Sequence, residues 1–129
     1  MADGFSVVDP DDVPKEQFNT CETSVRKLTE RLGATELRVN QVLVEPGDVT
    51  TPHTHEGQEE VFVAMTDGQI GIEGDVHDVS EGEVVRVHPD TTRNLLNHTD
   101  DETHVWLAFG APPVGSVEDF GSYVVDEAG

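Results

Sequence analysis

The stretch Gly47-Asp-Val-Thr-Thr-Pro-His53-Thr-His55-Glu56-Gly-Gln-Glu59-Glu60-Val-Phe-Val-Ala-Met-Thr-Asp-Gly68 gathers the side chains of this chain best suited to chemistry. His53 and His55 are one residue apart, so on an extended strand both point to the same side. Neutral imidazoles with a carboxylate suit a divalent first-row metal, and two histidines with one carboxylate form the facial set used for non-haem iron. Two carboxylates compete for the third place. Glu59 keeps an even separation from His55, which on an unbroken strand would hold it on the histidines' face. The break Glu56-Gly57-Gln58 resets that count and leaves Glu60 open, just ahead of the β-branched and aromatic run Val61-Phe62-Val63.

The elements that must position these groups are short β segments. Residues 37–45, 60–65, 69–72, 76–79, 83–87, 93–97 and 104–109 read as strands, each closed by turn formers such as Pro46-Gly47-Asp48, Glu73-Gly74-Asp75 and His88-Pro89-Asp90. Strands at such regular spacing imply an all-β sandwich or barrel. Gly47, Gly68 and Gly82 are expected to free tight turns between them. Upstream, Val25, Leu28 and Leu32 fall at helical spacing with Gly33 as a stop, but an irregular strand pair fits equally. Residues 1–20, interrupted by Pro10 and Pro14, read as an arm or edge strand. After Pro113 a weak alternation (Val114, Val117, Phe120, Tyr123, Val125) could add a strand to this sheet or to a partner's.

The spacing Gly47-x5-His53-x-His55-x4-Glu60-x7-Gly68 resembles the first motif of the cupins, with one extra residue before the closing glycine. A second cupin motif should follow about twenty residues on. Gly82-Glu-Val-Val-Arg-Val-His-Pro89-Asp-Thr-Thr-Arg93-Asn-Leu-Leu-Asn97 keeps its glycine, proline and final asparagine. The resemblance runs from about Leu37 to Pro112. It implies a single-domain double-stranded β-helix, the cupin jelly-roll barrel, over residues 36–112, with an arm (1–35) packed on it and a tail (113–129). The family's usual spacing favours Glu60 over Glu59 as the carboxylate, so that Phe62 and Ala64 share its inward face. It also implies a homodimer, since small cupins usually pair through sheet edges and tails.

Where the resemblance places a third metal histidine, this chain has Arg93, a permanent cation with no lone pair to donate. Two readings follow. In one, His53, His55 and Glu60 hold one divalent transition metal (Fe, Mn, Ni, Co or Zn) and Arg93 anchors an anionic or carbonyl-bearing substrate by forked hydrogen bonds. Dioxygen chemistry or Lewis-acid isomerisation would then be the activity. In the other, no metal binds, Arg93 pairs with Glu60 or Glu59, and the barrel is a plain small-molecule pocket. A cation near a divalent metal is costly unless an anion lies between them. A solvated, outward Arg93 is a third alternative.

His104 shares a strand face with Trp106 and Ala108; if that face lines the barrel, His104 reaches the metal or a substrate. His88, before Pro89, is expected at a barrel rim, and His77 and His98 in or beside turns. Trp106, Phe62, Met65 and Phe109 are core or pocket-wall candidates, and Asn97 a backbone-bonding turn residue. No Gly-rich phosphate loop, Gly-x-Ser-x-Gly elbow or His-Glu-x-x-His pattern occurs.

The 129 residues make one domain, with 27 acidic against 7 basic side chains and a formal net charge of −20. Such a surface repels nucleic acid and anionic membranes, so neither is an expected partner; the small-molecule partner is what the cupin resemblance implies. It suits a protein kept soluble in high salt, and a halophilic source is expected. Cys21 is alone, so no internal disulfide forms, and Met1-Ala-Asp-Gly-Phe carries no basic or apolar leader. A soluble cytoplasmic protein is the expectation.

Overall fold

The structure is a computed structural model that describes residues 4–17, 23–55, 57–112 and 124–125. A 3-10 turn at Pro10–Asp12, capped by the Asp9 carboxylate, leads into β1 (Glu16–Gln17) and β2 (Ser24–Lys27). One helical turn, α1 (Thr29–Leu32), ends at Gly33 in the left-handed conformation, so both readings of this stretch were half right. Then follow β3 (Arg38–Val44), β4 (His53–Thr54), β5 (Glu59–Ala64), β6 (Gly68–Ile72), β7 (Asp75–Val79), β8 (Val84–Val87), β9 (Arg93–Leu96), β10 (His104–Ala111) and β11 (Val124–Val125).

These strands form two antiparallel sheets, a jelly roll. One runs β1-β2-β3-β10-β5-β8 and the other β11-β4-β9-β6-β7. Burial alternates along β5, with Glu60, Phe62 and Ala64 inward, because successive side chains leave a strand on opposite faces. The main core lies between the sheets and includes Val42, Val44, Phe62, Ile70, Leu95 and Trp106. Phe62 and Trp106 meet edge to face with ring centroids 6.0 Å apart, a pairing that adds about 1 kcal/mol beyond its area.

β6 and β7 are joined by Glu73-Gly74, both at positive φ, the two-residue turn whose twist matches that of paired strands. Gly68 behaves otherwise than expected. It opens β6 rather than turning the chain, and a Cβ there would lie 2.5 Å from Trp106 Cζ2. Its missing side chain is the space the indole occupies.

Of the other expectations, Met65 in the core and His77 beside a turn need correction, while Phe109 in a core cluster and Asn97 as a backbone-bonding residue agree with the structure. Met65 is exposed, because it follows the last inward residue of β5. Phe109 packs on a second, smaller cluster built on Val13, Leu28 and Val39. Val13 is buried in that cluster, though in the sequence residues 1–20 read as an arm or edge strand rather than core, and Arg26 Nη1 donates to the Pro10 and Val13 carbonyls. His77 lies exposed within β7 rather than at a turn. Asn97 is fully buried; its amide donates to the Val44 and Glu102 carbonyls and its oxygen accepts from Thr99.

The tail's Val124–Val125 pairs with β4. Val114, Val117, Phe120, Tyr123 and Cys21 lie outside the described residues. Among the described residues, no helix is long and apolar enough to cross a membrane.

Candidate metal centre

The loop before β4 is pinned along β9. Thr50 N–H donates to the Leu95 carbonyl at 2.9 Å, and the Thr50 hydroxyl accepts from Leu95 N–H at 2.9 Å. Gly47 N–H donates to Asn97 O and Asn97 N–H to Asp48 O. Thr50 therefore acts as a strand residue before the strand begins. The next turn delivers His53 directly opposite Arg93 across the β4–β9 pair.

His53, His55 and Glu60 converge inside the barrel, and one ligand atom from each lies within 4.8 Å of the others. All three side chains are buried. The two imidazoles meet edge to face with centroids 4.8 Å apart, and His55 Nε2 lies 3.6 Å from Glu60 Oε2. His53 Nδ1 is 2.8 Å from the Thr51 carbonyl, which can only accept, so Nδ1 carries the proton and Nε2 the lone pair. Burial, then the neighbouring His55, push the His53 pKa down to about 4, so the ring is neutral at pH 7.

This donor set fits a divalent metal. Ligand atoms at about 2.0–2.2 Å from an ion lie roughly 3–3.5 Å from one another. The His55–Glu60 separation of 3.6 Å is already close, and the widest pair, within 4.8 Å, needs to contract by up to about 1.3–1.8 Å.

Glu60 divides its two oxygens. Oε1 accepts from Arg93 Nε at 3.0 Å, while Oε2 faces His55. Burial raises the Glu60 carboxyl above its ordinary value, and Arg93 and His53 counter that only in part. Arg93 itself is 1% exposed, so the outward reading of this residue is wrong. Its Nη1 donates to the Thr91 carbonyl at 2.8 Å. Its Nη2 is buried with no hydrogen-bond partner among the described residues.

Glu59 faces outward at the surface and is ion-paired with Arg86, because it alternates with Glu60 along an intact β5. His104 is buried but does not line the cavity. It does share a face with Ala108. It sits four residues further along β10, though, about 13 Å at strand rise, opposite Val44 and beyond the Trp106 plug. Face was right and depth was wrong. His88 is exposed, its Nδ1 accepting from Asp90 N–H.

The cavity holds about 600 Å³ of space, its mouth included. Val42, Phe62, Leu95 and Ala108 form apolar walls; Arg38, Asn40, Gln58 and Asn94 add polar ones. The sequence reading did not single out these four. For Asn40 a signal existed: it is a polar residue in register with inward Val42 and Val44 on β3. Gln58 offered none. It comes inward because its N–H closes a turn onto the His55 carbonyl at 3.0 Å and its amide reaches the Pro112 carbonyl at 3.0 Å.

Solved structures share this architecture at low identity. A cupin-superfamily sugar phosphate isomerase from Silicibacter pomeroyi superposes with a TM-score of 0.71 at 19% identity, covering 82% of this chain and 75% of the other. KdgF from Halomonas sp. gives 0.68 at 17% identity, covering 83% and 94%. The polyketide cyclase RemF from Streptomyces resistomycificus gives 0.67 at 22%, covering 83% and 78%. At these identities the likeness establishes the fold alone. No curated protein matches the chain in sequence. The cupin domain model matches residues 40–109, which carry both histidines, Glu60 and Arg93, and this chain belongs to the cupin family.

Proposed function

We propose that this cupin holds one divalent transition metal and acts on a small anionic molecule, in a dioxygenase-like or isomerase-like reaction. The observation that carries the reading is the division of the Glu60 carboxylate between Arg93 and His55. One carboxylate oxygen meets the guanidinium and the other faces His55, so the protein itself would supply an anion between Arg93 and a metal held there. His53, His55 and Glu60 would hold Fe, Mn, Ni, Co or Zn, which supplies either dioxygen chemistry or Lewis-acid polarisation. Arg93 fixes the Glu60 orientation through Nε. Its buried Nη2 then suits a substrate carboxylate or carbonyl oxygen through a charge-assisted bond. Phe62, Leu95 and Ala108 would keep competing water away.

The same Arg93–Glu60 contact favours a second reading, a metal-free, non-catalytic binding barrel. Metal content separates them. Untagged protein, purified without chelator at high salt, is expected to carry about one equivalent of one transition metal by plasma mass spectrometry. A metal-free protein that also refuses Fe, Mn, Ni, Co and Zn on titration would overturn the enzyme reading and leave the binder.

A further inference from the structure

β10 is the middle strand of the three that floor the cavity, and its inward residues there are small. Ala108 lies between Asn40 on β3 and Phe62 on β5, and Gly110 lies between Arg38 and Glu60. With only Ala108 on the middle strand at that level, the cavity floor dips to a trough between Phe62 on β5 and Asn40 on β3. Gln58 covers its outer end, where a Cβ on Gly110 would come within 2.6 Å of Gln58 Oε1. Trp106, fully buried one inward position deeper, closes its inner end.

At the β3 end sits Asn40. It is 4% exposed and lines the cavity, and its Oδ1 is buried with no hydrogen-bond partner among the described residues. A buried amide oxygen left so costs free energy that a matching ligand group removes. Asn40 is two strands across and two residues along from Glu60, a Cα separation of about 12 Å at ordinary strand spacing. Both side chains point inward, so a short chain molecule can touch both ends at once. Arg93 and Asn40 both line the cavity, and among the described residues each keeps one buried polar atom without a partner, the donor Nη2 and the acceptor Oδ1. An anion satisfies the first. A hydroxyl hydrogen satisfies the second, and the same amide can donate back to the hydroxyl oxygen.

We propose that Asn40 is a specificity-determining residue and that the cavity takes short hydroxy acids, carboxylate toward Arg93 and hydroxyl on Asn40. This deepens the proposed function and rests on its anion-binding half. A site built to hydrogen-bond a hydroxyl rejects the analogue that lacks it, because the site's own polar atom is then left buried and unpaired.

The test is calorimetric binding of propionate, butyrate and valerate against their terminally hydroxylated counterparts. At the chain length that spans the trough, the hydroxylated acid is expected to bind about tenfold tighter, and Asn40→Leu to bring that ratio to about one. A second readout needs no variant. The Asn40 side-chain amide resonances of the wild-type protein should move with the hydroxylated acid and not with the plain one. Acids that bind through Arg93, losing affinity in Arg93→Met that circular dichroism shows to be folded, but show no hydroxyl preference at any length would overturn this inference alone. A preference that survives Asn40→Leu, with the Asn40 resonances unmoved, would do the same. Failure of every acid to bind, or binding indifferent to Arg93→Met, would overturn the anion reading and this inference with it.

Discussion

Arg93 and Glu60 form a buried ion pair inside the barrel, Nε to Oε1 at 3.0 Å, with Glu60 turning its other oxygen to His55. A guanidinium stands where the family motif leads one to expect a metal histidine, and it grips the carboxylate that the motif assigns to the metal. Removing either partner leaves an uncompensated buried charge. Arg93→Met should therefore destabilise the protein by about 3–5 kcal/mol in urea unfolding. A change under 1 kcal/mol would mean the pair is not closed in solution.

Metal retention should depend on the histidines, not on the outward glutamate. Joint His53→Ala and His55→Ala substitution is expected to abolish bound metal while circular dichroism stays that of an all-β protein, since both rings line a cavity. Glu59→Gln, which disturbs only the surface pair with Arg86, should leave metal content unchanged. Metal lost in Glu59→Gln, or retained without the histidines, would remove the assignment.

Arg93→His places an imidazole on the strand position opposite His53 and should tighten metal binding. Competition against a chromogenic chelator would measure it. Equal affinity in both proteins would show that position 93 does not reach the ion.

Acid should destabilise the metal-free protein through His53. Its pKa in the fold is about 4 against 6.5 for the ordinary ring, so the unfolded chain binds the extra proton between those values. The contribution is whole above pH 6.5 and is lost as pH falls through 4, amounting to at most about 3 kcal/mol. Glu60 runs the other way. Its raised value gives stability below 4.5 that is lost as pH rises through the value in the fold. The two are separated by unfolding wild type and His53→Gln in parallel, for the difference should shrink as pH falls from 6.5 to 4. A constant difference would mean that the ring is not buried neutral.

Gly68→Ala should cost about 1–3 kcal/mol, because the new methyl meets the buried Trp106 ring at 2.5 Å with no room behind it. Thermal unfolding checks this; an unchanged midpoint would show that the indole can shift.

The −20 surface predicts that structure weakens as salt is withdrawn and self-repulsion goes unscreened. A circular-dichroism salt titration with no change down to low salt would refute it. Light scattering at working salt would test the expected homodimer, and a monomer peak would remove it.

Much of the fold could be read along the chain. Turn residues and period-two patterning set seven strands to within one or two residues of their observed limits, because those signals are local. β4 was missed because it is two residues long and exists only through pairing with β9 and the distant Val124–Val125. From the sequence by itself, strand parity puts His53 and His55 on one side but favours Glu59; the resemblance to the cupin motif points to Glu60, and it is the fold that brings Glu60 to the two histidines. Tertiary structure alone decided what surrounds them. The depth of His104 along β10, the role of Gly68 as room for Trp106, and the meeting of Arg93, Asn40 and Glu60 across one cavity all join residues tens of positions apart. Which of them touch is set by strand register and sheet closure, and neither is written in any local stretch of the chain.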